Sequence, residues 1–99
     1  MIYQITFQRK AKDEIFEAYR WYEQKQEGLG EEFLGALDVI VAKIETNPNL
    51  YPLIWKDFRR ALLPKFPYAI FYKLGQNKII VSACFHLKRD PKEWQKRIN

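Results

Sequence analysis

The period of the hydrophobic positions changes along this chain, and each change predicts an element. Residues 2–8 alternate, with Tyr3, Ile5 and Phe7 on one side and Gln4, Thr6 and Gln8 on the other, which predicts a half-buried strand. From Ala11 the spacing lengthens. Ala11, Ile15, Ala18 and Tyr22 fall at the i, i+4, i+7 positions of one helical face, while Lys12, Glu23 and Gln24 stay polar. Glu27-Gly28-Leu29-Gly30 predicts a helix stop and a turn. Phe33, Leu37, Ile40, Val41 and Ile44 form a second apolar stripe that ends before Asn47-Pro48. Two helices of similar length joined by a short glycine turn predict an antiparallel hairpin.

Residues 47–57, with Pro48 and Pro52, read as loop. Three strands are expected after it, at 58–64, 67–74 and 77–86, the last two joined at Gly75-Gln76-Asn77. In the last strand, alternation puts Ile79, Val81, Ala83 and Phe85 on one face and Ile80, Ser82, Cys84 and His86 on the other. Asp90-Pro91 suits a helix start, with Asp90 as N-cap and Pro91 in the first turn of a short helix over 91–97. The predicted class is α+β, in the order β-α-α-β-β-β: a helical hairpin on a small, mainly antiparallel sheet, with a short C-terminal helix.

Length and composition narrow the picture. Ninety-nine residues make one domain spanning 1–99, able to bury roughly 60–70% of its unfolded surface. An apolar fraction of 47% and a charged fraction of 29% argue for a folded, soluble globule. A single cysteine, Cys84, cannot form an internal disulfide, so a cytoplasmic location is expected. No apolar stretch approaches the ~20 residues of a membrane span, and neither a signal peptide nor a membrane partner is expected. Charge is divided unevenly. Residues 1–49 hold six Lys/Arg against nine Asp/Glu, whereas residues 50–99 hold eleven against three. The second half is therefore the cationic working surface, suited to an anionic partner.

Ser82, Cys84 and His86 are the sole serine, cysteine and histidine. Neighbours at i and i+2 on a strand lie about 6.5–7 Å apart, too far for a nucleophile–base hydrogen bond, so Cys84 reads as a core residue. One His and one Cys do not supply a structural zinc set. No glycine-rich phosphate loop occurs, and no cofactor or metal is expected. The remaining chemistry is cationic: Lys56, Arg59, Arg60, Lys65, Lys73, Lys88, Arg89, Lys92, Lys96 and Arg97, together with Tyr68, Tyr72, His86 and Trp94. Such a set can grip phosphate, stabilise developing negative charge or stack on a partner ring. Arg59 and Arg60 are strand neighbours and face opposite ways. Trp94 reads as the packing cap of the terminal helix. Arg89, between the last strand and Pro91, is the leading functional residue because a loop can present it.

Taken together, the order of elements and the C-terminal passage resemble the RelE/ParE superfamily of toxins from type II toxin–antitoxin modules, in particular its ParE-like, plasmid-stabilisation branch. The resemblance runs over essentially the whole chain. It rests on the helical hairpin with Trp21-Tyr22, the loop from Asn47-Pro48 to Pro52, the pair Arg59…Phe66-Pro67-Tyr68…Tyr72, and the ending His86…Arg89-Asp90-Pro91…Trp94. It implies a growth-inhibiting toxin neutralised by a cognate antitoxin encoded in a neighbouring gene. It implies one of two targets: DNA gyrase, poisoned by binding, or the ribosome, on which RelE-like members cut messenger RNA. In the nuclease pattern a mid-strand arginine falls here on Ala69 and a C-terminal tyrosine near Trp94-Gln95, so Arg89 alone matches. A non-enzymatic inhibitor is therefore expected, with Arg89, Arg60, Lys88 and Trp94 touching the target and Tyr68, Tyr72 and Trp94 touching the antitoxin. The alternatives are a ribosome-dependent nuclease using Arg89, His86, Arg59 and Arg60, or a non-toxic module that retains only antitoxin binding.

Overall fold

The structure is a computed structural model that describes residues 3–98. The elements follow as β1 (Gln4–Phe7), α1 (Arg9–Lys25), α2 (Leu29–Thr46), β2 (Leu53–Trp55), β3 (Phe58–Leu62), β4 (Tyr68–Gly75), β5 (Lys78–His86) and α3 (Pro91–Ile98). Ile2, the first residue of the expected opening strand, lies outside the described residues. The five strands form one sheet in the order β1-β5-β4-β3-β2, with β1 parallel to β5 and the other pairs antiparallel. The α1/α2 hairpin covers one face and α3 covers part of the other, so the domain has two apolar clusters. Phe33, Ile40 and Ile44 from α2 meet Ile70, Tyr72, Ile79 and Val81 in the larger cluster, and Trp94 and Ile98 from α3 meet Phe58, Phe71 and Phe85 in the smaller.

The expected hairpin and terminal helix are both present, with two differences in detail. Gly30 belongs to α2 and not to the turn. A Cβ there would lie 2.8 Å from the Tyr19 carbonyl oxygen, so glycine is what lets the two helices close. Gly28 takes the left-handed conformation, φ 87°, at the turn itself. The Glu23 carboxylate then accepts the backbone N–H groups of Gly28 at 3.0 Å and Gly30 at 2.9 Å, capping α2 from the preceding helix where its dipole favours an anion. The second difference is β2, which lies in the stretch expected to be loop. Three residues with Pro52 in front give too short an alternation to mark a strand. At the other end, Asp90 caps α3 by accepting the Lys92 N–H at 2.9 Å.

A β-bulge in β5 overturns the predicted facing of that strand. Tyr72 pairs with Val81 and Phe71 with Ala83, leaving Ser82 as the extra residue. The alternation is reset there. Ile79 and Val81 face the hairpin, whereas Ala83 and Phe85 face α3 and Cys84 returns to the hairpin side. Strand β1 pairs with β5 only as far as Val81, so beyond that point one edge of β5 has no neighbouring strand. Glu14 from α1 and Arg97 from α3 occupy it. Glu14 accepts the Cys84 N–H at 3.0 Å, Arg97 donates to the Ser82 carbonyl at 2.7 Å, and the two side chains pair at 2.9 Å.

Two predictions follow from these contacts. Gly30→Ala introduces a backbone clash that outweighs alanine's better helix propensity, and should lower unfolding free energy by about 1–3 kcal/mol. Gly35, in the same helix with open space around it, should gain about 0.5–1 kcal/mol on changing to alanine. Urea unfolding of both variants checks the contrast, and equal shifts of one sign would contradict it. For Glu14, burial lifts the carboxyl above its ordinary 4.5, partly offset by the Cys84 N–H and by Arg97. A raised carboxyl pKa means that Glu14's own contribution to stability is full below 4.5 and declines as pH rises through the folded-state value. The stability of the natural chain relative to Glu14→Gln should therefore fall over that window. A rise with pH in the same unfolding series would reverse the sign.

Candidate functional site

Beside the open edge of β5, between α1 and the end of the sheet, lies a groove of about 370 Å³. Its α1 wall carries Glu14, Glu17, Ala18 and Trp21; the opposite wall is Tyr68 from β4, Cys84 and His86 from β5, and Arg89 from the following turn. Arg89 is presented by that turn as expected from sequence, but it is not a loose charge. Its Nε donates to Glu93 at 3.0 Å, a pair about half exposed on both sides, and its guanidinium lies 4.5 Å from the Phe85 ring centre. The His86 Nδ1 accepts the Lys88 backbone N–H at 3.0 Å. Its ring meets Tyr68 edge-on at 5.1 Å, and burial raises the Tyr68 phenol above its ordinary value.

Cys84 is no nucleophile in this setting. The residue is buried, and desolvation together with nearby Glu14 pushes its thiol up to about 12, so it stays protonated at neutral pH.

The structure separates the remaining sequence-expected residues. Arg59 donates to the Tyr51 and Asn49 carbonyls at 2.6 and 3.2 Å, strapping the 47–52 loop to β3 and standing apart from the groove. Arg60 pairs across from Phe71, which places it on the face that α3 covers. Lys88 is exposed in the turn after β5. Tyr72 and Trp94 are not surface contacts. Tyr72 is fully buried, donates to the Pro48 carbonyl at 2.6 Å and has its phenol pushed up to about 12 by burial. Trp94 is 7% exposed, its ring centre 4.8 Å from that of Phe71. Both aromatic rings are claimed by the core because each side chain falls on an inward-facing position of its element. Of the expected set, the groove brings together Tyr68, His86 and Arg89 alone.

Sequence reasoning missed the α1 wall. Glu14 falls at i+3 from Ala11 and i−4 from Ala18, on the stripe that packs inward, and a carboxylate on a buried stripe was the available signal. Trp21 and Phe16 fall off that stripe, and both are more than half exposed. Lys25 sits over the Trp21 ring at 4.8 Å and Arg20 over Phe16 at 5.8 Å.

No helix among the described residues is long and apolar enough to cross a membrane. The fold is similar to that of the chromosomal ParDE toxin–antitoxin system from P. aeruginosa, at 16% identity and a TM-score of 0.66, covering 88% of this chain and 98% of the other. It is also similar to E. coli RelE toxin, in a mutant form in the free state at 14% identity and a TM-score of 0.64, covering 99% of this chain and 95% of the other. An isolated form of E. coli RelE toxin gives 17% identity and a TM-score of 0.58, covering 98% of this chain and 99% of the other. No protein with a curated description matches the sequence. Residues 5–91, from β1 to the start of α3, match the family described as the ParE toxin of type II toxin–antitoxin system, parDE. The chain, with its hairpin, five-stranded sheet and capped C-terminal helix, therefore belongs to the ParE toxin family of type II toxin–antitoxin systems.

Proposed function

We propose that this toxin arrests growth by binding its target rather than by cutting RNA, that the target is DNA gyrase, and that Arg89 is its principal contact. The observation that carries this reading is the electrostatic state of the groove. Both arginines nearest to it are engaged by carboxylates, Arg89 by Glu93 and Arg97 by Glu14, and Glu14 and Glu17 line its wall. Metal-free RNA cleavage needs uncommitted cations around a crowded phosphate, and two carboxylates in the groove oppose that. The position next to Tyr68 that would add a cation is Ala69, fully buried. A protein target suits Arg89 better, since an arginine stacked on Phe85 at the rim of an apolar cluster is the kind of side chain that anchors interfaces.

The antitoxin is the second partner, and the exposed aromatics of α1 support a location for it. Phe16, Ile15 and Tyr19 of α1, with Phe7 and Leu34, form an apolar strip edged by Lys12, and Arg20 lies over the Phe16 ring. An acidic amphipathic segment from the antitoxin complements that strip. Tyr68, at the foot of the adjoining groove, is the part of the sequence-expected antitoxin surface that stays accessible. A second reading, ribosome-dependent RNA cleavage, is favoured by one observation: a phenol, an imidazole and a guanidinium, from Tyr68, His86 and Arg89, line the same groove.

Arg89→Ala should cost under about 1 kcal/mol of stability, since its ion pair is half exposed, and should leave antitoxin pull-down intact. Growth arrest on induction without the antitoxin should weaken substantially. Purified toxin should block gyrase supercoiling, with the block relieved by the same variant. Unimpaired growth with confirmed soluble expression of the natural chain would instead identify a module that only binds antitoxin. Codon-positioned message cuts on ribosomes that disappear in Arg89→Ala would establish the nuclease reading.

A further inference from the structure

Arg89 is fixed by its backbone, by a ring beneath it and by a side chain at its edge. Its backbone N–H donates to the His86 carbonyl at 3.1 Å, closing the turn after β5. The guanidinium carbon lies 4.5 Å from the centre of the Phe85 ring, which is buried in one cluster with Phe71 and Trp94 and so forms a firm floor. The Nε–H donates to Glu93 at 3.0 Å. Glu93 is itself placed by the start of α3, since its backbone N–H donates to the Asp90 carbonyl at 2.8 Å and the next residue, Trp94, is anchored in the core.

As an ion pair the contact is worth little, because both side chains are about half exposed and water screens them. Its effect is on direction. A guanidinium holds all its N–H donors in one plane; Glu93 takes the Nε donor, and neither Nη group makes a hydrogen bond among the described residues. The free donors are therefore those of the Nη edge. Arg89 lines the groove with Tyr68 and His86, and its charge acts there on the Glu14 carboxyl and the Tyr68 phenol. An arginine without such a hold samples many rotamers, and freezing them on binding costs affinity. We infer that Glu93 is a positioning residue for the target contact: it holds Arg89 over Phe85 with the Nη edge presented, and it acts on the target through Arg89. This rests on Arg89 being the principal target contact. Charge alone predicts the opposite, because removing a carboxylate beside Arg89 strengthens the pull of the guanidinium on an acceptor.

The test compares Glu93→Gln with Glu93→Ala in the full-length toxin, two variants of equal charge of which only the first keeps an oxygen for the Nε–H. In NMR spectra of the free ¹⁵N-labelled toxin at mildly acidic pH, the Arg89 Nε–H, assigned by its loss in Arg89→Ala, is followed by its exchange with water. It should exchange several-fold more slowly in the natural chain and in Glu93→Gln than in Glu93→Ala. Affinity for gyrase should stay within about twofold of the natural chain in Glu93→Gln and fall about three- to tenfold in Glu93→Ala. In an Arg89→Ala background, adding Glu93→Ala should change nothing further, as expected of a residue that acts through another. Equal affinity of the two Glu93 variants would overturn the inference, and so would a loss that persists in the Arg89→Ala background. If Arg89→Ala binds gyrase as well as the natural chain does, the Arg89 assignment fails and the positioning role falls with it. If the natural chain does not bind gyrase, the target is wrong but Glu93 is still decided: the inducer concentration at which growth stops should rank the variants in the same order, and an equal ranking would overturn the role.

Discussion

The pairing of Glu14 with Arg97 joins three elements at a point where the sheet alone leaves them unconnected. Strand β1 is too short to cover the second half of β5, and the bulge at Ser82 exposes backbone groups that a neighbouring strand would otherwise satisfy. Glu14 accepts the Cys84 N–H and Arg97 donates to the Ser82 carbonyl. Two side chains thus stand where a strand would be, and they also close an edge that could template pairing with another chain. The upward shift of the Glu14 carboxyl indicates that desolvation exceeds the attraction it gains. The pair is therefore a device for fixing geometry more than a source of stability, in keeping with how partly buried ion pairs behave.

That geometry has consequences on both faces of the sheet. Resetting the alternation at Ser82 sends Phe85 to the α3 side, where it supports the guanidinium of Arg89 and packs with Phe71 and Trp94. It sends Cys84 to the hairpin side, where burial silences its thiol. The groove that results is bordered by carboxylates and by arginines already engaged. Lys92 and Lys96 of α3 lie on the other face beside Trp55. These lysines and Arg89 of the groove therefore lie on different sides of one small domain, although the sequence places them within eight residues of one another.

Much of the fold was legible because the deciding interactions are local. The stripe Ala11, Ile15, Ala18, Tyr22, the Asn77 turn and the Asp90-Pro91 cap each express a preference within a few residues, and tertiary packing agrees with them. The bulge was not legible. The almost wholly apolar run from Ile79 to Phe85 reads as one unbroken strand, and the extra residue is stabilised by Glu14 and Arg97, the latter 83 positions from Glu14 along the chain. β2 was hidden for a similar reason, since three residues become a strand only because β3 lies alongside. His86 stands at the end of β5 and Arg89 in the turn after it, where the sequence pattern places them. Trp94 packs as the cap of α3 that its place in the helix implies, which leaves it no surface for a partner, whereas Tyr72 was misplaced because sequence position alone does not say which aromatic rings the core has room for, and Trp21 was passed over for the same reason in reverse.

The central claim is that Glu14 and Arg97 act as one unit that holds the bulge and α3 together. A double-mutant cycle on unfolding free energy with Glu14→Met, Arg97→Met and the two combined tests it most directly. Each single change should cost about 3 kcal/mol or more by leaving its partner buried and unpaired. The combined change should cost less than their sum by at least about 1 kcal/mol. Additive losses would contradict the account, showing that the two side chains stabilise their own helices independently and that the bulge is held by something else.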